Sequence, residues 1–186
     1  IITPDDREFE GDPRAVLKKT LGRASEKGYT YYVSPELEYF YFKDSTSTVG
    51  LDNSGYFDQN STDVGTDLRR DTVLTLEELG IPVESSHHES APSQHEIDLR
   101  HTDALTMADS VMTYRLVVKE IAVNNGYHAS FMPKPVAEIN GNGMHTHMSL
   151  FRGDENVFYG EEDEAHLSTI AKHFCAGLMK HAREIT

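Results

Sequence analysis

The chain has 186 residues, with 31 acidic against 17 basic side chains, a formal net charge of -14 and one cysteine. That length supports one domain with a core of its own. The acidic balance argues against a nucleic-acid surface, which needs a basic patch. A lone cysteine excludes an internal disulfide and fits a reducing cytoplasm.

No run approaches the length of a membrane-spanning helix, and no secretory signal opens the chain. Ile1-Ile2-Thr3-Pro4 lacks an initiator Met and the last residues break off inside a helical pattern, which predicts an excised piece of a longer protein. Asp12 to Lys27 is predicted helical, with Pro13 near its start, an apolar face of Ala15, Val16, Leu17, Leu21 and Ala24, and Gly28 as a stop. Tyr29 to Phe42 is aromatic and β-branched enough for a long strand interrupted by Pro35. Lys43 to Gly55 reads as a surface loop. Gly65 to Gly80 reads as a helix with Leu68, Val73, Leu76 and Leu79 turned inward.

Pro82 to His88 and Gln94 to Arg100 form two short strands, read as an antiparallel pair. Thr102 to Asn125 carries the longest helical pattern, with Leu105, Ala108, Val111, Met112, Leu116 and Ile121 on its apolar stripe and Gly126 at its end. Tyr127 to Met132 is a strand, Pro133 to Gly143 a loop, Met144 to Phe151 a strand, and Glu164 onward a last helix holding a buried Cys175. Elements mixed without strict βαβ alternation predict an α+β fold with a mainly antiparallel sheet.

Three segments place polar groups where a strand would usually supply core. In Asn140-Gly141-Asn142-Gly143-Met144-His145-Thr146-His147-Met148-Ser149-Leu150-Phe151 a glycine-punctuated turn feeds a strand. Its period of two sets His145, His147 and Ser149 on one face and Met144, Met148 and Leu150 on the other. In Pro35-Glu36-Leu37-Glu38 both carboxylates project to one side. In His87-His88-Glu89 through Glu96, strand pairing brings Glu89 near Glu96, and like charges that close call for a cation between them. The competing readings are an exposed sheet face for the glutamates and a solvated hairpin edge for the second segment. Carboxylates with few histidines suit Mg²⁺ or Mn²⁺. Zinc would be accompanied by more sulfur or histidine. No P-loop and no Gly-x-Ser-x-Gly elbow is present, so the chemistry reads as metal-centred and electrostatic.

Lys134-Pro135 leading into the 140–150 segment resembles the signature of glutamine synthetases of the bacterial and archaeal class. Phe9 to Arg14, Pro35 to Glu38, Gly55 to Asp58 with Asp63-x-Gly65 and Arg69-Arg70, and Ser86 to Glu89 with Gln94 to Asp98 match in the same order. The resemblance implies the curved antiparallel sheet of the glutamine synthetase and guanido kinase catalytic fold, with helices on its outer face. It implies ligation of ammonia to glutamate through γ-glutamyl phosphate, with ATP and two or three Mg²⁺ or Mn²⁺ ions. By matching position, Glu38, Glu89 and Glu96 would hold one ion, and Glu36 and His145 the ion beside the ATP phosphates. Asn140, Gly141 and His145 would bind glutamate. Glu84, His147 and Ser149 would contact ATP, and Tyr56 would line the ammonium pocket with Glu89 beside it.

The resemblance further implies that residues 1–186 are the central part of a catalytic domain. The N-terminal β-grasp domain and the C-terminal part of the catalytic domain are absent. The whole protein would be a cytoplasmic ring, a dodecamer of two hexamers with sites between subunits. It would use small-molecule substrates, without nucleic acid or membrane. Glu138 near the turn and Ser61-Thr62 depart from the family pattern, which keeps a γ-glutamyl-amine or polyamine ligase open as the alternative, with a catalytically dead structural homologue as a further one. Asn60-Ser61-Thr62 reads as a chance glycosylation sequon. His166, His173 and His181 read as one exposed face of the last helix. Tyr39, Phe40, Phe57 and Phe151 read as core packing before active-site seals. With the neighbouring domain and the later arginines missing, the 186-residue segment alone is expected to bind divalent cations weakly and to lack ligase turnover. Robust glutamine formation by it would refute that.

Overall fold

The computed structural model describes residues 1–59 and 63–185; the sequon and the Ser61-Thr62 departure lie outside the described residues. The elements in chain order are α1 (Pro13–Ser25), β1 (Thr30–Phe42), α2 (Val64–Glu78), β2 (Val83–His88), β3 (Gln94–Leu99), β4 (Thr102–Asp103), α3 (Ala104–Asn124), β5 (His128–Ser130), β6 (Met144–Arg152), β7 (Glu155–Asn156), α4 (Thr169–Lys180) and α5 (Ala182–Ile185). The chain divides into one unit of Ile1–Val33, Asp103–Leu105 and Met148–Thr186, and another of Ser34–Thr102 and Thr106–His147.

The second unit holds the sheet that matters most for function. Its order is β2-β3-β1-β6, and β5 also pairs with β1. The β1–β3, β2–β3 and β1–β5 ladders are antiparallel, so the fold class is α+β as the mixed elements predicted. Glu36 lies opposite Asp98, Glu38 opposite Glu96 and Phe40 opposite Gln94, while Leu37 faces Ile97 and Tyr39 faces His95. Alternation then gives every strand the same two faces. One carries Glu36, Glu38, Gln94, Glu96 and Asp98; the other carries Leu37, Tyr39, Tyr41, His95, Ile97 and Leu99.

The second face is the core. Leu37, Tyr39, Tyr41, Ile97 and Leu99 are buried, and α2 contributes Leu68 and Leu76. From α3, Tyr114 packs edge-on against Tyr39 at 6.4 Å and against Phe131 at 5.8 Å. Its hydroxyl donates to the Leu37 carbonyl at 3.3 Å, which satisfies a polar group in a dry interior. Burying one such ring contributes about 1.5–3 kcal/mol, so this aromatic set anchors the sheet. On the other face Phe40 and Phe42 stack at 5.7 Å and pack with Ala91, Val136 and Ile139.

Several expectations need correction. Pro35 does not interrupt β1, because it lies just before the Glu36–Asp98 pair that opens the β1–β3 ladder, where no N–H is required for it. On α3 the buried stripe is Ala104, Met107, Tyr114, Val117, Val118 and Ala122; Met112 and Leu116 are exposed, since Tyr114 and not Leu116 sets the helix rotation. Leu79 is exposed because α2 has already ended at Glu78. Met144 and Met148 are exposed, so β6 lacks the buried apolar side that alternation promised. The 43–55 loop is pinned: the Lys43 N–H donates to the Val49 carbonyl at 2.9 Å, and the Ser93 hydroxyl accepts from Leu51 N at 2.7 Å and Asp52 N at 3.0 Å.

In the first unit, α1 begins where Asp12 accepts from Arg14 N at 3.2 Å, with Pro13 in the first turn. None of its residues is fully buried, and Val16 is exposed. Phe174 of α4 meets Tyr31 at 5.9 Å and Phe158 at 5.1 Å, and Phe151 meets Tyr32 at 5.2 Å. The last long helix starts at Thr169, not Glu164, because Ser168 caps it by accepting from Ala171 N at 3.1 Å. His166 therefore precedes α4, with a left-handed φ of 53° and its ring stacked on Tyr159. Cys175 is exposed, against the expectation of burial. No helix among the described residues is long and apolar enough to cross a membrane.

Asp63 caps α2 by accepting from Gly65 N at 2.8 Å, and this capped turn is pressed onto the sheet. A β-carbon on Gly65 would lie 2.3 Å from His95 Cε1 and 2.9 Å from Asp63 Oδ1. Alanine normally gains about 1 kcal/mol over glycine in a helix, but an overpacked contact costs about 1–3 kcal/mol. Gly65→Ala is expected to lower the thermal midpoint; an unchanged or raised midpoint would contradict this close approach.

Candidate functional site

The face of β1, β2 and β3 opposite the aromatic core gathers carboxylates. Cross-strand register sets Glu38 beside Glu96 and Glu36 beside Asp98, and His87 stands on β2 opposite Glu96. Glu96 is buried, and its Oε2 lies 3.2 Å from His87 Nε2. Burial first, then the Asp98 charge, a hydrogen bond with Glu89 and the Glu38 charge push the Glu96 carboxyl up to about 8. Asp98 is also raised, mainly by burial, with Glu36 and Glu84 adding to the shift; Ser85 hydrogen-bonds one of its oxygens, and the other, Oδ1, is buried without a partner. A carboxylate cluster holding a proton well above its ordinary range is one that a divalent cation can neutralise instead, and the oxygen-rich donor set fits Mg²⁺ or Mn²⁺. A potential ligand group on this face is His87, Glu96 and Asp98, with ligand atoms within 4.8 Å of one another.

Along the same face β6 brings two imidazoles to Glu36. His145 Nδ1 is 3.5 Å from Glu36 Oε2, and His147 Nε2 makes a short contact to Glu36 Oε1. Both rings are about 70% exposed, at 75% and 69%, which leaves them open to a ligand. The turn before β6 is drawn in beside Glu38. Gln94 Nε2 donates to Glu38 Oε2 at 2.8 Å, to the Gly141 carbonyl at 2.9 Å and to Asn142 Oδ1 at 3.1 Å. Asn142 donates from its backbone to the Pro133 carbonyl at 2.8 Å and from Nδ2 to the Met132 carbonyl at 2.9 Å. A β-carbon on Gly141 would sit 2.5 Å from the Pro133 carbonyl oxygen, so only glycine permits this approach.

The core face carries a buried polar ladder. Arg69 Nη1 is 2.5 Å from His95 Nδ1, and since a guanidinium only donates, that nitrogen accepts and the His95 proton sits on Nε2. Nε2 points at Asp52 Oδ2, 3.8 Å away. Asp52 Oδ1 faces His88 Nε2 at 2.9 Å and accepts from Ser93 N and Ser54 N at 3.0 Å each. Burial pushes the Asp52 carboxyl up, but these bonds outweigh it and hold it below its ordinary value; burial pulls His88 down, and the Asp52 bond outweighs that. Burial and the Arg69 charge keep His95 neutral. The atoms of Asp52, His88 and His95 are close enough to hold a metal. A cation on His95 Nε2 would need the proton on Nδ1, where Arg69 forbids it, so the trio is a structural ion pair with its supports.

Glu36, Glu38, Glu89, Glu96, His145 and His147 lie on or at the rim of the carboxylate face, Glu89 with its Oε2 accepting from Ser90 N at 2.6 Å. Gly141 is within this set through Gln94. Asn140 is exposed just before it, and Glu84 is exposed on β2 near Asp98. Tyr56 is exposed, with its ring 5.6 Å from His87. Ser149 is half-buried and belongs to the first unit. Of the proposed sealing aromatics, Tyr39 and Phe40 are core, while Phe57 is exposed and stacked on His87 at 4.6 Å from a left-handed backbone with φ 57°. Gln94, Asn142, His87, Asp98 and Asp52 received no role from the sequence. Strand alternation from Glu96 picks out Gln94 and Asp98, and pairing picks out His87; nothing local marks Asp52.

A family model described as "Glutamine synthetase, catalytic domain" matches residues 10–186. The chain is 52% identical over 190 residues to a glutamine synthetase of Mycolicibacterium smegmatis, covering 100% of this chain and 43% of the relative. It is 50% identical to that of Thermus thermophilus, covering 98% and 42%. Among solved structures, Plasmodium falciparum glutamine synthetase aligns with a TM-score of 0.86 at 28% identity over 96% of this chain and 42% of that one. GmaS in complex with ADP aligns at 0.87 and 33% identity over 95% and 42%. The chain thus spans about two-fifths of the length of the relatives it matches.

Glu96 links the site to pH. Its carboxyl rises from 4.5 to about 8 on folding, so its contribution to stability is fully present below pH 4.5 and is lost as pH rises through 8. His95, held neutral, has the opposite slope below its ordinary value. The difference in urea stability between wild type and Glu96→Gln is therefore the informative quantity. Without metal, the variant is expected to gain on the wild type between pH 5 and 8, and Mn²⁺ is expected to shrink that gain. A pH-independent difference would contradict the buried, protonated carboxyl.

Proposed function

Since the chain belongs to the glutamine synthetase catalytic-domain family, we propose that the protein it forms part of joins ammonia to the side chain of glutamate through γ-glutamyl phosphate, using ATP. The observation that carries this reading is the face shared by Glu36, Glu38, Glu89, Glu96 and His145, where burial and the neighbouring carboxylates push the Glu96 carboxyl up to about 8. Glu38, Glu89 and Glu96 hold one divalent ion, and Glu36 with His145 holds another. Bound Mg²⁺ or Mn²⁺ supplies the positive charge that lets a phosphate and a carboxylate approach.

The chain's own residues then bind and orient. His147 and Ser149 contact the ATP phosphates and Glu84 the adenosine side. Asn140 and Gly141 hold glutamate, with the Gly141 carbonyl fixed by Gln94. Tyr56 borders the ammonium, and the Glu89 carboxylate beside it takes the proton that must leave before nitrogen can attack. The assembled enzyme is a cytoplasmic ring of two hexamers in which a neighbour's β-grasp domain closes each site against water.

The second reading, an organic amine as acceptor, has the exposed Glu138 of the 133–143 loop in its favour. Relatives at 50–52% identity named glutamine synthetase support ammonia instead. Phosphate release by the full-length enzyme, measured with glutamate plus ammonia and then plus ethylamine, is expected to be faster with ammonia; a preference for ethylamine would reverse the choice. Glu38→Ala and Glu89→Ala should each lower turnover by more than about a hundredfold, the upper range for losing even a supporting contact to a metal ligand. Near-normal rates would break the metal assignment.

A further inference from the structure

Gln94 is fully buried, yet it belongs to none of the ligand sets above. Its Oε1 accepts from Ala91 N at 3.3 Å, and its Nε2 faces Glu38 Oε2, the Gly141 carbonyl and Asn142 Oδ1 at 2.8, 2.9 and 3.1 Å. A backbone carbonyl can only accept, so the amide orientation is fixed by chemistry. Two N–H hydrogens serve three acceptors, and Glu38 competes with the turn for them. The turn has little freedom otherwise: Gly141 is wedged against Pro133, and Asn142 Nδ2 is spent on the carbonyls of Met132 and Ser130.

We infer that Gln94 is a positioning residue that couples the cation site to the amino-acid turn, by dividing its N–H hydrogens between the Glu38 carboxylate and Gly141–Asn142. This deepens the proposed function and rests on it. An ionised carboxylate is the stronger acceptor and draws the amide toward Glu38. Neutralising Glu38 with a divalent ion weakens that bond and turns the amide toward the Gly141 carbonyl and Asn142, firming the turn that holds glutamate. By linkage the effect is reciprocal: glutamate on the turn favours the cation on Glu38.

The test is a binding cycle on the full-length enzyme. Calorimetry gives the glutamate dissociation constant without Mn²⁺ and with saturating Mn²⁺, for wild type and for Gln94→Met, which keeps the length and loses the donor. The ratio of the two constants is expected to fall about fivefold or more in the variant, the lower end of typical site coupling. Mn²⁺ affinity at the Glu36 and His145 site stays as in wild type. Should Gln94→Met fail to fold, Gln94→Asn, whose amide is one methylene too short to reach, is read in the same way. An unchanged ratio overturns the coupling, including the case in which both ligands weaken in proportion, because that is what a purely structural side chain would produce. A wild-type enzyme that binds neither Mn²⁺ nor glutamate overturns the proposed function and this inference together.

Discussion

The site depends on one pairing: Glu38 directly opposite Glu96 in the antiparallel β1–β3 ladder. Like charges in facing positions destabilise a sheet, and these two are joined by Glu36 opposite Asp98 one step along. The strands hold that arrangement because their other face is a dense aromatic and aliphatic core, with Tyr39, Tyr41, Tyr114, Ile97 and Leu99 fully buried. Apolar burial on one side offsets electrostatic strain on the other. Part of the strain is relieved locally by His87, whose Nε2 lies 3.2 Å from Glu96 Oε2.

The two faces treat their polar groups differently. On the core side Asp63 caps α2, Arg69 bridges to His95, and Asp52 is set against His88 and two backbone N–H groups, while Asp52 Oδ2, Arg69 Nε and His95 Nε2 are buried without hydrogen-bond partners. The other side differs in its exposure. Asp98 keeps an orphan oxygen, and His145 and His147 stand open to solvent. Orphan polar atoms therefore occur on both faces, and the exposed imidazoles are what open the second to ligands.

Most of the architecture was legible because it follows from local rules. The first three helices announced themselves by apolar stripes and glycine stops, and the strands by aromatic and β-branched runs. The spacing of Glu36 with Glu38, and of His145 with His147, was enough to set each pair on one face. What failed was whatever tertiary contact decides. The rotation of α3 is set by Tyr114 reaching Phe131 and the Leu37 carbonyl, which no helical stripe reveals. Exposure of Cys175, Met144 and Met148 is likewise invisible to composition. Asp52 looked like loop because its partners Ser93 and His88 are distant in sequence, and Gln94 looked like motif filler because its acceptors come from two segments far from it in sequence.

The five-residue connection between His88 and Gln94 is consequently the least forgiving stretch of the molecule. Ser93 adopts a left-handed φ of 62° there, and the Glu89 N–H closes onto the Gln94 carbonyl at 2.7 Å. A single inserted residue absorbed by slipping the hairpin would rotate β3 by one position, sending His95 and Ile97 outward and Glu96 into the aromatic layer. A change of length in this connection is therefore compatible with the fold only where the β2–β3 register, and with it the parity of β3, is left untouched.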